Sequence, residues 1–121
     1  MADETITLIK REGRVLSKPE PGLLRQVLAY GGNLMLVRHL MEKGWVGAKH
    51  SHPHEQLVYV VSGHIRFTGG GWTFEARTGD SFVVPGGVEH QASAVERSEV
   101  LDVFTPIRED YAAAPEGDLE R

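Results

Sequence analysis

Residues 44–63 read GWVGAKHSHPHEQLVYVVSG, with His50, His52 and His54 inside five positions, Gln56 just beyond them, and glycines at both ends. Three imidazoles this close are poorly explained by packing, whereas imidazole is the commonest metal ligand among side chains. In extended backbone, residues two apart point to one side, so His50 and His52 can aim both rings at a single point. Gln56 shares their parity, but a turn at Pro53-His54 intervenes and leaves its direction open. A second stretch, GDSFVVPGGVEH at residues 79–90, places His90 behind a Pro-Gly-Gly turn. A ligand arriving from a distant strand is the arrangement by which a rigid sheet fixes coordination geometry.

The sequence on either side reads as short strands between turns. Thr5 to Ile9 is one candidate strand, followed by a charged connection that closes on Lys18-Pro19-Glu20-Pro21. Gly22 to Tyr30 and Asn33 to Glu42 form a hairpin about Gly31-Gly32, where positive φ is easy. Within the second run Met35, Val37, His39 and Met41 share one face while Leu34, Leu36, Arg38 and Leu40 share the other, so both faces are largely apolar, as in a sandwich or small barrel. His64 to Thr68 and Trp72 to Ala76 flank a Gly69-Gly70-Gly71 turn, Ser81 to Val84 is an apolar run, and Glu89 to Val95 pairs with Ser98 to Thr105 across Glu96-Arg97. Pro106 ends the last strand, and the segment after Tyr111 has little to bury. Nine or ten strands at this spacing predict an all-β sandwich or barrel.

A chain of 121 residues has room for one core, so one domain over 1–121 is expected, with its core at about 22–110, a preceding strand and connection at 1–21, and a frayed tail at 112–121. The formal net charge of −4 and the absence of a Lys/Arg cluster argue against nucleic acid. No run approaches the length of a membrane span and the N-terminus lacks a signal pattern, so a cytoplasmic protein is expected. With no cysteine, any transition metal must be held by nitrogen and oxygen.

The two motif segments resemble the cupin superfamily, whose first motif runs G-x5-H-x-H-x3,4-E-x6-G and whose second runs G-x5-P-x-G-x2-H-x3-N. Gly44, His50, His52 and Gly63 match the first, and Gly79, Pro85, Gly87 and His90 match the second. Gln56 stands in the glutamate position and Ala94 in the asparagine position; Glu55 is one residue out of register and turned to the opposite face. The resemblance implies a double-stranded β-helix (jelly-roll) barrel holding one divalent transition metal (Ni, Mn, Fe, Zn or Co) on His50, His52, Gln56 and His90. Three neutral imidazoles and an amide oxygen leave such an ion its full double charge, which favours an anionic, chelating ligand.

HSHPHEQ at residues 50–56 together with DVFTPIRED at residues 102–110 is similar to the KdgF-type cupins of uronate catabolism. That resemblance implies ring opening of 4,5-unsaturated uronic acids from pectin or alginate, a small anionic sugar-acid substrate, and a homodimer. Asp102 and Arg108 are then the candidate catalytic residues, with Phe104, Arg108 and Tyr59 as substrate contacts. Asp102 and Phe104 share a parity on the last strand, and Pro106 bends the chain before Arg108. Two other functions compete: a metal-dependent cupin dioxygenase, which needs a redox-active ion and an apolar oxygen pocket, and a non-enzymatic small-molecule-binding cupin. His54 is expected to be exposed next to Pro53, His64 to face solvent or a neighbouring strand, and His39 is undecided between barrel wall and surface.

Overall fold

A computed structural model of the chain describes residues 4–113. Nine strands account for most of it: β1 Ser17–Glu20, β2 Leu23–Tyr30, β3 Met35–Met41, β4 Glu55–Ser62, β5 His64–Gly69, β6 Trp72–Arg77, β7 Ser81–Val84, β8 His90–Ala94 and β9 Ser98–Thr105. A 3-10 turn at Arg11–Gly13 precedes them and a short helix, α1 Glu109–Ala112, follows. They form a six-stranded sheet in the order β1-β2-β3-β9-β4-β7 and a three-stranded sheet in the order β6-β5-β8. Every ladder is antiparallel. This is the expected all-β jelly roll. The last strand, β9, fills the centre of the larger sheet between β3 and β4, so the sheet closes on its most distant segment of chain.

Strict alternation on β3, β4 and β9 sends one set of side chains inward. Met35, Val37, His39 and Met41 on β3 are buried, as are Ser98, Val100, Asp102 and Phe104 on β9. One apolar cluster joins Leu23, Met41, Val58, Val60 and Val100 of the large sheet to Ile65, Ala76 and Ala94 of the small one. A second, of Met35, Val37 and Phe104, is covered by Ile107, Tyr111 and Ala112 from the segment after β9. Burying a side chain such as Phe104 contributes roughly 1.5–3 kcal/mol.

Between the two clusters runs a diagonal of inward polar residues, one on each of four adjacent strands: Arg25, His39, Asp102 and Gln56. Arg25 lies opposite His39, Val37 opposite Asp102, Val58 opposite Asp102, and Gln56 opposite Phe104. The band therefore descends through successive rows of the large sheet, with apolar contacts above and below it.

Several sequence expectations need correction. Thr5 to Ile9 forms no strand: Ile6 and Leu8 are 98% and 78% exposed, and an alternating pattern that buries neither of them has nothing to hold it extended. The strand before β2 is instead β1, in the stretch read as a connection; Pro19 is tolerated there because β1 is an edge strand. Neither Gly31 nor Gly32 has positive φ; that hairpin closes through Gly31 N–H donating to the Leu34 carbonyl. The β5–β6 hairpin does use it, at Gly70 and Gly71, with φ of 58° and 84°. The helix α1 was not anticipated, and residues 114–121 of the expected frayed tail lie outside the described residues.

Candidate metal centre

The first motif's histidines sit on the segment leading into β4, and His90 opens β8. The two segments are tied by paired backbone bonds, His50 N–H to His90 O at 3.0 Å and His90 N–H to His50 O at 2.8 Å. Gly87 N–H also donates to the His52 carbonyl at 2.8 Å. At Gly86 a Cβ atom would lie 2.3 Å from the Pro53 carbonyl oxygen, so the turn of the second motif approaches the first more closely than any side chain permits. Here glycine is required by contact with backbone rather than by a turn angle.

His50, His52 and His90 come together with ligand atoms within 4.8 Å of one another, and their ring centroids are 4.4 to 5.6 Å apart. The Nδ1 atom of each faces a backbone carbonyl: Ala48 O at 3.0 Å for His50, His54 O at 3.1 Å for His52, and Val88 O at 2.9 Å for His90. A carbonyl only accepts, so each Nδ1 carries a proton, and in the neutral ring that coordinates a metal Nε2 is the lone pair. Carbonyls placed behind the rings in this way orient imidazoles for binding a metal. Burial lowers the pKa of His52 and of His90, with the nearby Arg108 charge acting in the same direction, so both rings are neutral, as coordination demands.

Gln56 is the inward residue at the start of β4 and is buried. Its Nε2 donates to Asp102 Oδ1 at 2.8 Å, which fixes the amide and turns Oε1 towards the histidines, 3.1 Å from His52 Nε2. With the His52 proton on Nδ1, two lone pairs face each other across that gap. Such an arrangement repels unless a cation lies against both, and it is the geometry of neighbouring ligands on one ion. The residues present therefore fit a divalent metal held by three imidazoles and an amide oxygen.

Asp102 is 3% exposed and accepts on both oxygens, from Gln56 on Oδ1 and from His39 Nδ1–H on Oδ2 at 2.7 Å. His39 in turn accepts at Nε2 from Arg25 Nε at 3.0 Å. Phe104 packs edge-on against His52 with centroids 5.8 Å apart and is 1% exposed. Arg108 does not pair with Asp102. Its Nε and Nη2 grip Asp110 at 3.1 and 3.0 Å, and its guanidinium carbon lies 4.1 Å from the Tyr111 ring centroid. Burial raises the pKa of Tyr111, which stays a protonated phenol.

These groups share a cavity of about 250 Å³, lined among others by His50, His90, Gln56, Asp102, Phe104 and Arg108. That is below the roughly 300–1,000 Å³ of sites for drug-sized ligands, so it suits one small molecule rather than an oligomer. Tyr59 must be removed from the candidate contacts. It lies three residues from Gln56 on β4, has the opposite parity, and is 45% exposed on the outer face of the sheet. Glu55 is exposed on that same outer face, as its spacing implied.

His54 is not a surface residue as expected: it is half-buried, its Nε2 donates to the Ile107 carbonyl at 3.2 Å, and it ties the metal segment to the chain leading to Arg108. His64 lies on the small sheet, paired with Glu75 of the neighbouring strand. The sequence did not point to Arg25 and Tyr111 as cavity residues and left His39 undecided; all three line the cavity. The signal for Arg25 was present, a charge between Leu23 and Val27 on the inward parity of β2.

The cupin domain family model matches residues 37–104. Among curated proteins the chain is 30% identical over 92 residues to the pectin degradation protein KdgF of Dickeya dadantii (strain 3937), an alignment covering 74% of this chain and 84% of that protein. Among solved structures, KdgF from Halomonas sp. is 34% identical with a TM-score of 0.82, covering 87% of this chain and 99% of that one. An RmlC-like cupin from Shewanella frigidimarina NCIMB 400 is also 34% identical, with a TM-score of 0.83 and coverage of 88% and 96%.

Proposed function

The chain belongs to the cupin domain family, and from that premise we propose that it is a metal-dependent sugar-acid enzyme acting in the cytoplasm as a homodimer. Its reaction in this reading is the ring opening of a 4,5-unsaturated uronic acid monosaccharide to the 4-deoxy-5-keto uronate, of the kind needed in pectin or alginate breakdown. Likeness to a pectin degradation protein supports the substrate class. One observation carries the chemistry: a small cavity joins a cluster of three imidazoles and an amide oxygen to a buried carboxylate and an arginine.

A divalent ion on His50, His52, Gln56 and His90 would supply Lewis acidity to a substrate carboxylate and ring oxygen. The protein's own residues do the rest. Asp110 and Tyr111 hold the Arg108 guanidinium at the cavity wall, and its Nη1 group, which Asp110 leaves over, can bind the substrate carboxylate or a hydroxyl. Each Asp102 oxygen has a lone pair beyond those used by Gln56 and His39, so the carboxylate can accept the C1 hydroxyl proton. The C1–O5 bond then breaks, C1 becomes an aldehyde, and the electron pair moves onto O5 as an enolate. Returning the proton to C4 turns C5 into the ketone, so no proton is gained or lost overall. Phe104 closes the floor beside His52 and keeps water from the reacting face.

The test is Asp102→Asn. Losing a general base lowers turnover by about 10²–10⁴-fold, read as the decay of the ultraviolet absorbance of the conjugated enol acid. Unchanged decay would remove Asp102 from the reaction, and oxygen uptake on the same substrate would favour a dioxygenase instead. Light scattering at twice the mass of one chain checks the homodimer.

A further inference from the structure

The polar diagonal extends two residues beyond anything the proposed reaction uses. Arg25 and His39 are inward, directly opposite each other on β2 and β3, and occupy interior positions where leucine or valine would otherwise serve. His39 is 7% exposed, so its two ring nitrogens must be satisfied inside the protein. A guanidinium has donors only, so Arg25 Nε at 3.0 Å makes His39 Nε2 an acceptor. The remaining proton is then on Nδ1, aimed at Asp102 Oδ2 at 2.7 Å.

That leaves Asp102 Oδ1 for Gln56, and a carboxylate oxygen only accepts. Gln56 must therefore offer its NH₂ to Asp102, at 2.8 Å, and its oxygen to the histidines. Without Arg25 the His39 proton can move to Nε2, the Nδ1 lone pair then faces a carboxylate, and Asp102 is released from its position. An amide is otherwise indifferent to which end it presents, because its oxygen and nitrogen are nearly the same size.

We infer that Arg25 and His39 are positioning residues: the proton they fix on His39 Nδ1 holds Asp102 where its other oxygen compels Gln56 to present its oxygen rather than its nitrogen to the three histidines. Both line the cavity without belonging to the donor set, and each acts on Gln56 only through Asp102. Their task is to remove an ambiguity that a glutamate, with two equivalent oxygens, would not have. An amide in place of a carboxylate at residue 56 thus calls for an acceptor-only partner held firmly in place, and the inference rests on the metal-centre reading above.

The experiment compares His39→Leu, Arg25→Met and His39→Asn with the unaltered chain, using Co²⁺ as probe and nitrogen NMR of the metal-free protein. In the unaltered chain the His39 ring should show a protonated Nδ1 and a bare Nε2, and the Gln56 side-chain amide should exchange slowly with solvent. In His39→Leu, Gln56 exchange should quicken and Co²⁺ binding weaken by about tenfold, while His39→Asn, which keeps a donor near the Nδ1 position, should return to within about threefold. Arg25→Met should shift His39 towards its other tautomer and loosen Gln56 in parallel, and it decides the matter should His39→Leu fail to fold. Unchanged Gln56 exchange and Co²⁺ affinity in His39→Leu would overturn the inference, as would His39→Asn behaving like His39→Leu. If the unaltered chain holds no Co²⁺, the metal-centre reading falls, and Gln56 exchange across the same variants still judges the pair.

Discussion

Replacing Gln56 by glutamate would restore the acidic residue of the first cupin motif, yet here it should harm the metal-free protein. The amide nitrogen of Gln56 lies 2.8 Å from Asp102 Oδ1. In the Gln56→Glu variant an oxygen takes its place, and two carboxylates meet at hydrogen-bond distance inside the barrel. At that separation two unit charges repel by about 6 kcal/mol with an effective dielectric constant of about 20. Rotation apart reduces this, so it is an upper bound; converted at about 1.36 kcal/mol per pKa unit, it raises one carboxyl of the pair by up to about 4 units. A shared proton relieves the clash, as in other paired acids.

A carboxyl whose folded pKa exceeds its unfolded value of about 4.3 adds nothing against unfolding at high pH, and stability falls as pH rises from there towards the raised value. The unaltered chain has an amide at this position and lacks that slope. Thermal melting of both metal-free proteins from about pH 4.5 to about pH 8 reads the difference, at roughly 5 °C for each kcal/mol in a domain of this size. A divalent ion should recover much of the loss by drawing the introduced carboxylate away from Asp102, while leaving a less positive centre with weaker hold on an anionic substrate. Parallel melting curves across the whole pH range would refute the reasoning, because they would mean that residue 56 and Asp102 do not face each other.

Two further outcomes follow from the same geometry. Burial lowers the folded pKa of His52 and His90, so the unfolded chain takes up protons first as pH falls below the ordinary value of 6.5. Melting temperature of the metal-free protein should therefore drop as pH falls below that value towards the lowered ones, and His90→Gln should reduce the slope. Gly86→Ala forces a Cβ into the Pro53 carbonyl, 2.3 Å away, so it should separate the two motif segments, lower the melting temperature, and weaken Co²⁺ binding measured by titration.

The sequence exposed most of the architecture because the strands are short, alternate strictly and are bounded by turn residues; β7, at Ser81–Val84, and β9, at Ser98–Thr105, were read to the residue. His50, His52 and His90 were legible because fixed spacing carried them. Gln56 was not legible from parity, since the turn at residues 53–54 breaks the alternation that would carry direction from His52 into β4. Tyr59 failed for a simpler reason: an aromatic residue near a motif looks available, but odd spacing from an inward residue puts it outside. His39 stayed undecided because Leu36 and Leu40 made the opposite face of β3 look equally suited to the core. Tyr111 reaches the cavity from a helix of four residues, too short to show any period.

That two-sided character gives the polar diagonal another role, in the folding of the chain. On β3 and β9 the outward residues Leu36, Leu40, Leu101 and Val103 are as apolar as the inward ones, so hydrophobicity alone distinguishes the faces weakly. A one-residue slip of β9 would still bury leucine and valine. It would also carry Asp102 to the outside and strand His39 and Gln56 without an acceptor, at about 1–3 kcal/mol for each orphaned group. The residues that ready the cavity for its ligand thus also serve as the gauge by which four strands find their register, and a chain that pairs correctly has, by that fact, already assembled its site.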